Sequence, residues 1–263
     1  MNSDLYDHPA LYDALLPVGA HVPYYMELAR EASGGVLELA CGTGQLTVPV
    51  ARAGLPIVGL DLSPRMLNTA RERAAAAKVS VEHLLGDMRN FDLGRQFGLI
   101  FIARNSLLHI HSTEDILATF AMIRRHLAPR GMFAFDVFNP NIRMLARPAD
   151  QRFSVMQVET ELFGALSVED TTTTTLPHKL TVPVGTFQLP GSRMPGSCLW
   201  NCEVSFRRSC RCCSQQGVFT SKVGWEIYTK RRSIPIVARK CVYVRRQSKR
   251  PREARANRPE RDV

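Results

Sequence analysis

Apolar and polar positions over the first 140 residues follow two alternating rhythms. Short apolar runs end in small or glycine-rich turns, and the stretches between them place apolar residues at helical spacing. Val36 to Leu39, interrupted only by Glu38, runs into Ala40-Cys41-Gly42-Thr43-Gly44, and a helix-compatible segment from Gln45 to Ala53 follows. A second run, Ile57-Val58-Gly59-Leu60, ends at Asp61, and Ser63-Pro64 opens a helix carrying Met66, Leu67, Ala70 and Ala74. A third strand, Val79 to Leu85, ends at Gly86-Asp87-Met88; a fourth, Phe97 to Ala103, ends at Arg104-Asn105-Ser106. Ser112 or Thr113 starts the next helix, with Glu114 and Asp115 favourable in its first turn. Its apolar positions are Ile116, Leu117, Phe120, Ile123 and Leu127. Pro129-Arg130-Gly131 breaks it ahead of a fifth strand, Met132 to Phe138. Strands and helices alternating in this way predict an α/β fold with a mostly parallel sheet.

Ahead of this region, Tyr6, Tyr12, Tyr24 and Tyr25 lie among apolar residues, with Pro23 suited to a first helical turn and Gly34-Gly35 to its end. Two roles are open to residues 1–35. They form an amphipathic helix covering the sheet, or a helical lid whose Tyr6 and Tyr12 close over a ligand.

Composition changes the picture in one place. The net charge is +10, yet Lys and Arg outnumber Asp and Glu by 19 to 5 beyond residue 171, while acids predominate before it. Six of the seven cysteines also lie beyond residue 171, leaving only Cys41 before it. Such a break marks a domain boundary or a faulty second part. No apolar segment is long enough for a bilayer span, and Met1-Asn2-Ser3-Asp4 lacks the start of a signal peptide, so the cytoplasm is the expected compartment and no membrane is expected as a partner.

Three strands place an acid at or near their carboxyl ends: Glu38, Asp61 and Asp87. Asp61 lies 17 residues past Gly44, near the spacing at which an acid accepts from both hydroxyls of a ribose. Asp87 could accept from an exocyclic amine of adenine. Glu38 would repel a pyrophosphate and attract an ammonium group. The dinucleotide fingerprint also fails at its third glycine, because Gly42-Thr43-Gly44 is followed by Gln45-Leu46-Thr47. An acidic turn without a phosphate-binding lysine fits a nucleoside that is itself cationic, as S-adenosylmethionine is.

Residues 36–140 closely resemble the class I S-adenosylmethionine-dependent methyltransferases, in the branch of small bacterial enzymes whose first motif reads Val-Leu-Glu-Leu-Ala-Cys-Gly-Thr-Gly. Val58 to Pro64, Gly86-Asp87-Met88 and Leu127 to Gly131 follow the family pattern in order and spacing. The resemblance implies a Rossmann-like, doubly wound sheet with helices on both faces and S-adenosyl-L-methionine as cofactor. It implies that Glu38, Ala40, Gly42 and Gly44 line the methionine part, that Asp61 binds the ribose, and that Leu62, Asp87 and Met88 contact the adenine side. Ala40 stands where the general pattern has glycine, a small change. A dinucleotide enzyme of similar fold is the competing reading.

Methyl transfer is an in-line displacement, so the protein has chiefly to align donor and acceptor and exclude water. A general base is required only when the acceptor must lose a proton. Candidates are His109 and His111 after the fourth strand and Asp136 and Asn139 around the end of the fifth, with His109 and Asn139 preferred. Asn105 and Ser106 are expected to border the reacting methyl group, Asn105 counting among the cofactor contacts. The Asn/Asp-Pro-Pro-aromatic sequence of enzymes that methylate adenine or glutamine amino groups is missing after the fourth strand, as is the Pro-Cys of those acting on cytosine carbon. A small molecule with an oxygen or nitrogen acceptor is the expected partner. The alternatives are a catalytically defective cofactor-binding module and a nucleic-acid methyltransferase using the basic tail.

From Thr171 onward the pattern dissolves, and an irregular C-terminal third is expected. The six cysteines lack paired zinc-ligand spacing, so no metal is expected. Nucleic acid is a partner only if the basic tail is genuine. Residues 172–263 also read as a segment translated out of frame. Taken from the third base of each codon, Met194-Pro195 yields Ala, Trp200-Asn201 Glu, Asn201-Cys202 Leu and Trp225-Glu226 Gly. A class I domain completes its sheet with two antiparallel strands after the fifth, and here only Val218 to Tyr228 and Ile234 to Val244 have the β-branched and aromatic content to stand in for them.

Overall fold

The computed structural model describes residues 5–19, 21–137, 148, 152–171, 173–174, 179–188, 197–205, 219–220, 225–230 and 240–246, the last six segments as backbone only. Five strands form the centre: β1 (Val36–Leu39), β2 (Ile57–Asp61), β3 (Glu82–Leu85), β4 (Phe97–Ile102) and β5 (Leu127–Val137). They are parallel in the order β5-β4-β1-β2-β3, with Val36 opposite both Ile57 and Leu99. The chain leaves β1 toward β2 and later returns to lay β4 on its other side. The strand order therefore reverses between β1 and β4, which opens a crevice at their carboxyl ends.

Helices α3 (Thr47–Arg52), α4 (Pro64–Ala76) and α5 (Thr113–His126) connect these strands. The Ser63 hydroxyl accepts from the Met66 N–H at 3.3 Å and the Ser112 hydroxyl from the Asp115 N–H at 3.0 Å, so both predicted caps form. Both faces of the sheet are covered. Val36, Leu99, Phe101 and Ala134 pack with Tyr25, Leu28 and Val50 on one side, and Leu37, Leu39, Ile100 and Ile102 pack with Ile123 and Phe91 on the other.

Three boundaries differ from the pattern. The third strand begins at Glu82 rather than Val79, because Lys78 takes a φ of 55° and the Val79 N–H turns back to the Ala74 carbonyl, closing α4. Leu127 belongs to β5 rather than to the preceding helix. The expected break at Pro129-Arg130-Gly131 is an irregularity inside β5, where Arg130 has a φ of 67° and the register against β4 shifts between Phe97 and Leu99.

Both proposed roles of the N-terminal segment have an element to match. A 3-10 turn (Leu5–Asp7) and α1 (Pro9–Leu15) precede α2 (His21–Glu31). α2 covers the sheet: Tyr25 is fully buried and stacks on Phe101 with centroids 4.5 Å apart. The turn and α1 instead sit over the carboxyl edge, fastened by Leu5 and Leu15 to Leu166 and Val168 of a second sheet.

That sheet is built from β6 (Arg152–Thr160), β7 (Gly164–Thr171), β8 (Thr173–Thr174), β9 (Lys179–Gln188) and β10 (Ser197–Ser205), in the order β10-β9-β7-β6 with β8 beside β9. The chain then returns to the main sheet through β11 (Phe219–Thr220), β12 (Trp225–Lys230) and β13 (Lys240–Arg246). β13 lies antiparallel to β5, with Val242 opposite Phe135, and β12 lies antiparallel to β13. The two β-rich stretches named from the sequence, Val218 to Tyr228 and Ile234 to Val244, thus overlap the strands that extend the sheet, which run on to Lys230 and Arg246. The expected irregularity concerns, for the rest, residues 172, 175–178, 189–196, 206–218, 221–224, 231–239 and 247–263, which lie outside the described residues.

Candidate functional site

A cavity of about 640 Å³ opens where the strand order reverses. Each central strand from β1 to β4 sends a turn into its wall: Ala40 and Gly42 after β1, Leu62 to Pro64 after β2, Gly86 to Arg89 after β3, and Ser106 and His109 after β4. Tyr6, Asp7 and Tyr12 close it from above. Sequence-distant turns meet here because a parallel sheet presents all its carboxyl ends along one edge.

Asp61 is the most firmly placed acid. The Gly42 N–H donates to its Oδ2 at 2.7 Å and the Ser63 N–H to its Oδ1 at 2.8 Å. Burial raises its pKa, while these two amides work the other way. Each carboxylate oxygen keeps lone pairs for a ligand hydroxyl. Gly42 holds a φ of 55°, and a Cβ on it would meet nothing nearer than Met66 Cε at 4.0 Å, so the demand for glycine is conformational and leaves the turn open to the cavity. Gly44 is not among the residues that line this cavity. Its φ is 75° and a Cβ there would come within 3.1 Å of the Ala70 Cβ, which makes it a packing position under α4. Ala40 has a φ of 58°, so the alanine is not a small change: an L-residue in this region carries about 1–2 kcal/mol of strain.

Glu38 is 3 % exposed and lines a smaller pocket, shared with Tyr12, Gln45 and Arg104, beside the main cavity. Its Oε2 has no hydrogen-bond partner. Burial pushes its pKa well up, with Asp61 adding to the rise and Arg104 opposing it. A buried carboxyl with one oxygen unpaired is a costly arrangement that a cationic ligand would relieve.

At the far end Leu62, 66 % exposed, offers an apolar surface next to Met88. Asp87 is engaged by Arg89, whose Nη2 lies 2.6 Å from Oδ2 and whose Nε reaches both oxygens at 3.0 Å; this pair holds the Asp87 carboxyl below its usual range. Arg89 also reaches Asp115 Oδ2 at 3.0 Å, so two acids and one guanidinium rim this part of the cavity.

His109 meets the N-terminal segment. Its Nε2 is 2.7 Å from the Tyr6 hydroxyl, their rings stand edge to face at 5.5 Å, and the Tyr6 and Tyr12 rings are 5.8 Å apart. His111 lines the same cavity. α1 is tied to the glycine turn through Asp13, which accepts from the Thr43 hydroxyl at 2.6 Å and from the Gln45 amide, and pairs with Arg73 of α4.

Asp136 does not reach the open edge. It is 1 % exposed and accepts from the Tyr25 hydroxyl at 2.6 Å and the Arg104 N–H at 2.8 Å. It thereby fixes the turn after β4, where Arg104 and Asn105 both have positive φ, 60° and 66°. Ser106 borders the cavity, whereas Asn105 lines neither pocket, since the left-handed turn carries the chain past it. Asn139 lies outside the described residues. Arg89, Asp13 and Arg104 were not read as site residues. The visible trace of Arg104 was a cation directly after the wholly apolar stretch Phe97 to Ala103. Among the described residues no group of His, Cys, Asp and Glu is placed to hold a metal ion, and no helix is long and apolar enough to cross a membrane.

Comparison with known proteins agrees with this geometry. A family model described as a methyltransferase domain matches residues 36–131. YqeM of Bacillus subtilis (strain 168), named as a methyltransferase, is 32 % identical over 134 residues, covering 49 % of this chain and 53 % of the relative. The dTDP-3-amino-3,4,6-trideoxy-alpha-D-glucopyranose N,N-dimethyltransferase of Streptomyces venezuelae is 32 % identical over 139 residues, covering 49 % and 56 %. The chain thus spans about half the length of these two curated relatives. It spans 76 % of the uncharacterized methyltransferase sll0829 of Synechocystis, at 30 % identity over 165 residues and 59 % of this chain. Among solved structures, an S-adenosylmethionine-dependent methyltransferase from Clostridium acetobutylicum superimposes with a TM-score of 0.67 at 17 % identity, covering 93 % of this chain and all of that one. CalS10 of Micromonospora echinaspora, an amino pentose methyltransferase bound to S-adenosylmethionine, gives 0.60 at 19 %, covering 94 % and 98 %.

Proposed function

Because this chain belongs to the class I S-adenosylmethionine-dependent methyltransferases, we propose that it moves a methyl group from S-adenosylmethionine to an oxygen or nitrogen atom of a small molecule. The observation that carries the cofactor assignment is the pairing of Asp61, held by the amides of Gly42 and Ser63, with the buried and half-unpaired Glu38 in the adjoining pocket. A diphosphate on this turn would face two acids and no lysine. A nucleoside bearing an ammonium group would be attracted by Asp61, and its approach would favour the ionised form of Glu38.

The cofactor would supply an electrophilic methyl group on a sulfonium. Asp61 accepts from the ribose hydroxyls. Leu62 and Met88 cover the adenine, with Asp87 and its Arg89 at the rim. Glu38 takes the α-ammonium group, and Ala40 and Gly42 keep side-chain bulk away from the methionine part. The Tyr6 roof excludes water from the acceptor. A proton leaving the acceptor reaches His109 Nε2 through the Tyr6 hydroxyl, 2.7 Å away. Relatives named as N,N-dimethyltransferases of amino sugars favour nitrogen as the accepting atom.

Calorimetric titration with S-adenosylmethionine and, separately, with NAD tests this reading. Binding of the first and not of the second is expected; a preference for NAD would replace the methyl donor with a hydride carrier. Formation of S-adenosylhomocysteine with a panel of small amines and alcohols then tests the acceptor class.

A further inference from the structure

Residues 86–96 cross from β3 to β4 without a helix, whereas α3, α4 and α5 each carry a crossing of their own. The crossing starts at the cavity with Gly86 to Arg89 and returns to the opposite edge of the sheet, where β4 begins. Side chains of α5 fasten it at both ends. At the start of the helix, Asp115 Oδ2 accepts from Arg89 at 3.0 Å. At its last residue, His126 Nε2 accepts from the Leu93 N–H at 3.0 Å. The other ring nitrogen, Nδ1, lies 2.8 Å from the Met122 carbonyl, and the ring packs on Phe91 with centroids 4.5 Å apart.

An amide N–H can only donate and a carbonyl can only accept, so these two bonds specify a neutral imidazole with its proton on Nδ1. His126 is 1 % exposed, and water does not stand in for either partner. A second proton, on Nε2, would set one N–H against another and break the bond to Leu93. The acceptor then within reach is Asp92 Oδ1, 3.5 Å from Nε2. Asp92 already accepts from the Gly94 N–H at 3.1 Å and pairs with Arg125 at 2.7 Å, so it competes for the new proton only by moving the segment that carries it. Of the other charges on these elements, Arg95 pairs with Glu82 of β3, while Arg124 and Arg130 flank His126 along α5 and β5. The Asp87–Asn90 bridge stiffens the chain between Leu93 and the cavity, so a shift at Leu93 is passed to Met88 and Arg89.

We propose that His126 is a positioning residue for the adenine end of the cofactor site: its neutral ring holds the β3–β4 crossing through Leu93, and protonation releases that hold. What the cavity binds rests on the methyl-donor reading; the hold itself does not. His126 lines no part of the cavity and acts through the backbone of the crossing.

Two measurements at pH 8 and pH 5.5 test the proposal on wild-type protein, His126→Gln and His126→Phe. Hydrogen exchange, corrected for intrinsic rate and referred to β4 as the reporter of global opening, reads the hold without any ligand. Wild-type protection over residues 87–94 is expected to fall by about 2-fold to 10-fold at the lower pH, the range of one neutral hydrogen bond. Glutamine can accept from Leu93 and donate to Met122 but does not titrate, so His126→Gln is expected to keep its protection, and His126→Phe to lack it at both pH values. Calorimetric titration with S-adenosylmethionine is expected to follow the same order. Glu38 and the other acids titrate in all three proteins, so the excess pH dependence of wild type over His126→Gln isolates the histidine. Equal pH dependence of exchange in those two proteins overturns the hold, even if His126→Phe does not fold. A difference in exchange with no difference in affinity overturns the role at the cofactor site. Failure of wild-type protein to bind S-adenosylmethionine at either pH overturns the methyl-donor reading and the cofactor role with it, while exchange still decides whether His126 holds the crossing.

Discussion

Asp61 Oδ2 accepts the Gly42 N–H at 2.7 Å, and this bond joins the turn after the first strand to the end of the second. It orients the carboxylate across the cavity mouth and at the same time pins the left-handed turn. Asp61→Asn replaces one acceptor oxygen with a donor, so one of the two amides now faces an N–H₂. Affinity for S-adenosylmethionine is expected to fall by about 10-fold to 100-fold, the loss of a charge-assisted contact of about 1.5–3 kcal/mol. Calorimetry reads the change, and an unaltered affinity would remove Asp61 from the ribose site.

Glu38 makes the ligand-free protein sensitive to pH in a specific direction. Its folded-state pKa lies well above the ordinary value because burial disfavours the charge. Above the ordinary carboxyl range the unfolded chain has released this proton and the folded chain still holds it. Stability therefore falls as pH rises, from the unfolded pKa up to the folded one. Glu38→Gln removes that contribution. Melting curves from pH 5 to 8 are expected to show a smaller decline for the variant than for wild type, while its affinity for S-adenosylmethionine drops. A parallel decline in both proteins would place the pH sensitivity elsewhere.

Ala40 occupies backbone that glycine adopts without strain. Ala40→Gly relieves about 1–2 kcal/mol and costs about 0.5–1 kcal/mol of added freedom in the unfolded chain. The melting temperature is expected to rise by roughly 1–3 °C, with cofactor affinity unchanged within about twofold. A fall in melting temperature would mean that the methyl group packs usefully.

Tyr6 and His109 act on the acceptor side, so their variants should separate chemistry from cofactor binding. His109→Gln is expected to lower kcat by about 10²-fold or more if the acceptor must surrender a proton. Tyr6→Phe is expected to lower it less, and both should retain the wild-type Kd for S-adenosylmethionine. An unchanged kcat in His109→Gln would assign the histidine to positioning alone.

Residues 172–263 carry a prediction about the gene. If they are read out of frame, resequencing across Thr171 to Leu176 will reveal a one-base displacement, and the protein made from the restored frame will melt at a higher temperature. An intact frame at that place removes the idea. β12 and β13 pair beside β5 in the present chain, where Ile227, Tyr228, Val242 and Val244 supply residues favoured in strands.

Much of the core domain was legible in advance because its signals are local. An apolar run that stops at a small turn, a Ser-Pro cap and an acid at a strand end each need only a few neighbouring residues to be recognised. Asp61, Leu62, Met88, Ala40, Gly42 and His109 reach one cavity because parallel strands deliver their carboxyl ends to the same edge, and Tyr6 and Tyr12 join them from the N-terminal turn and α1. Boundaries were less legible where backbone geometry intervened, as at Lys78 and Arg130, whose positive φ values moved the start of one strand and absorbed a predicted break into another.

The amino-acid order determined the fold class, the family and the acidic character of the ligand edge, since each is written in short-range periodicity and motif spacing. Only the tertiary structure decided the partners of the charges. Tyr25 and Asp136, 111 residues apart, join in the core; Tyr6 reaches His109 across 103 residues; Arg104 lines the same small pocket as Glu38, while Arg89 and Arg73 find acids of their own. Electrostatic pairing depends on distance and burial in space, and neither is encoded in the separation of residues along the chain.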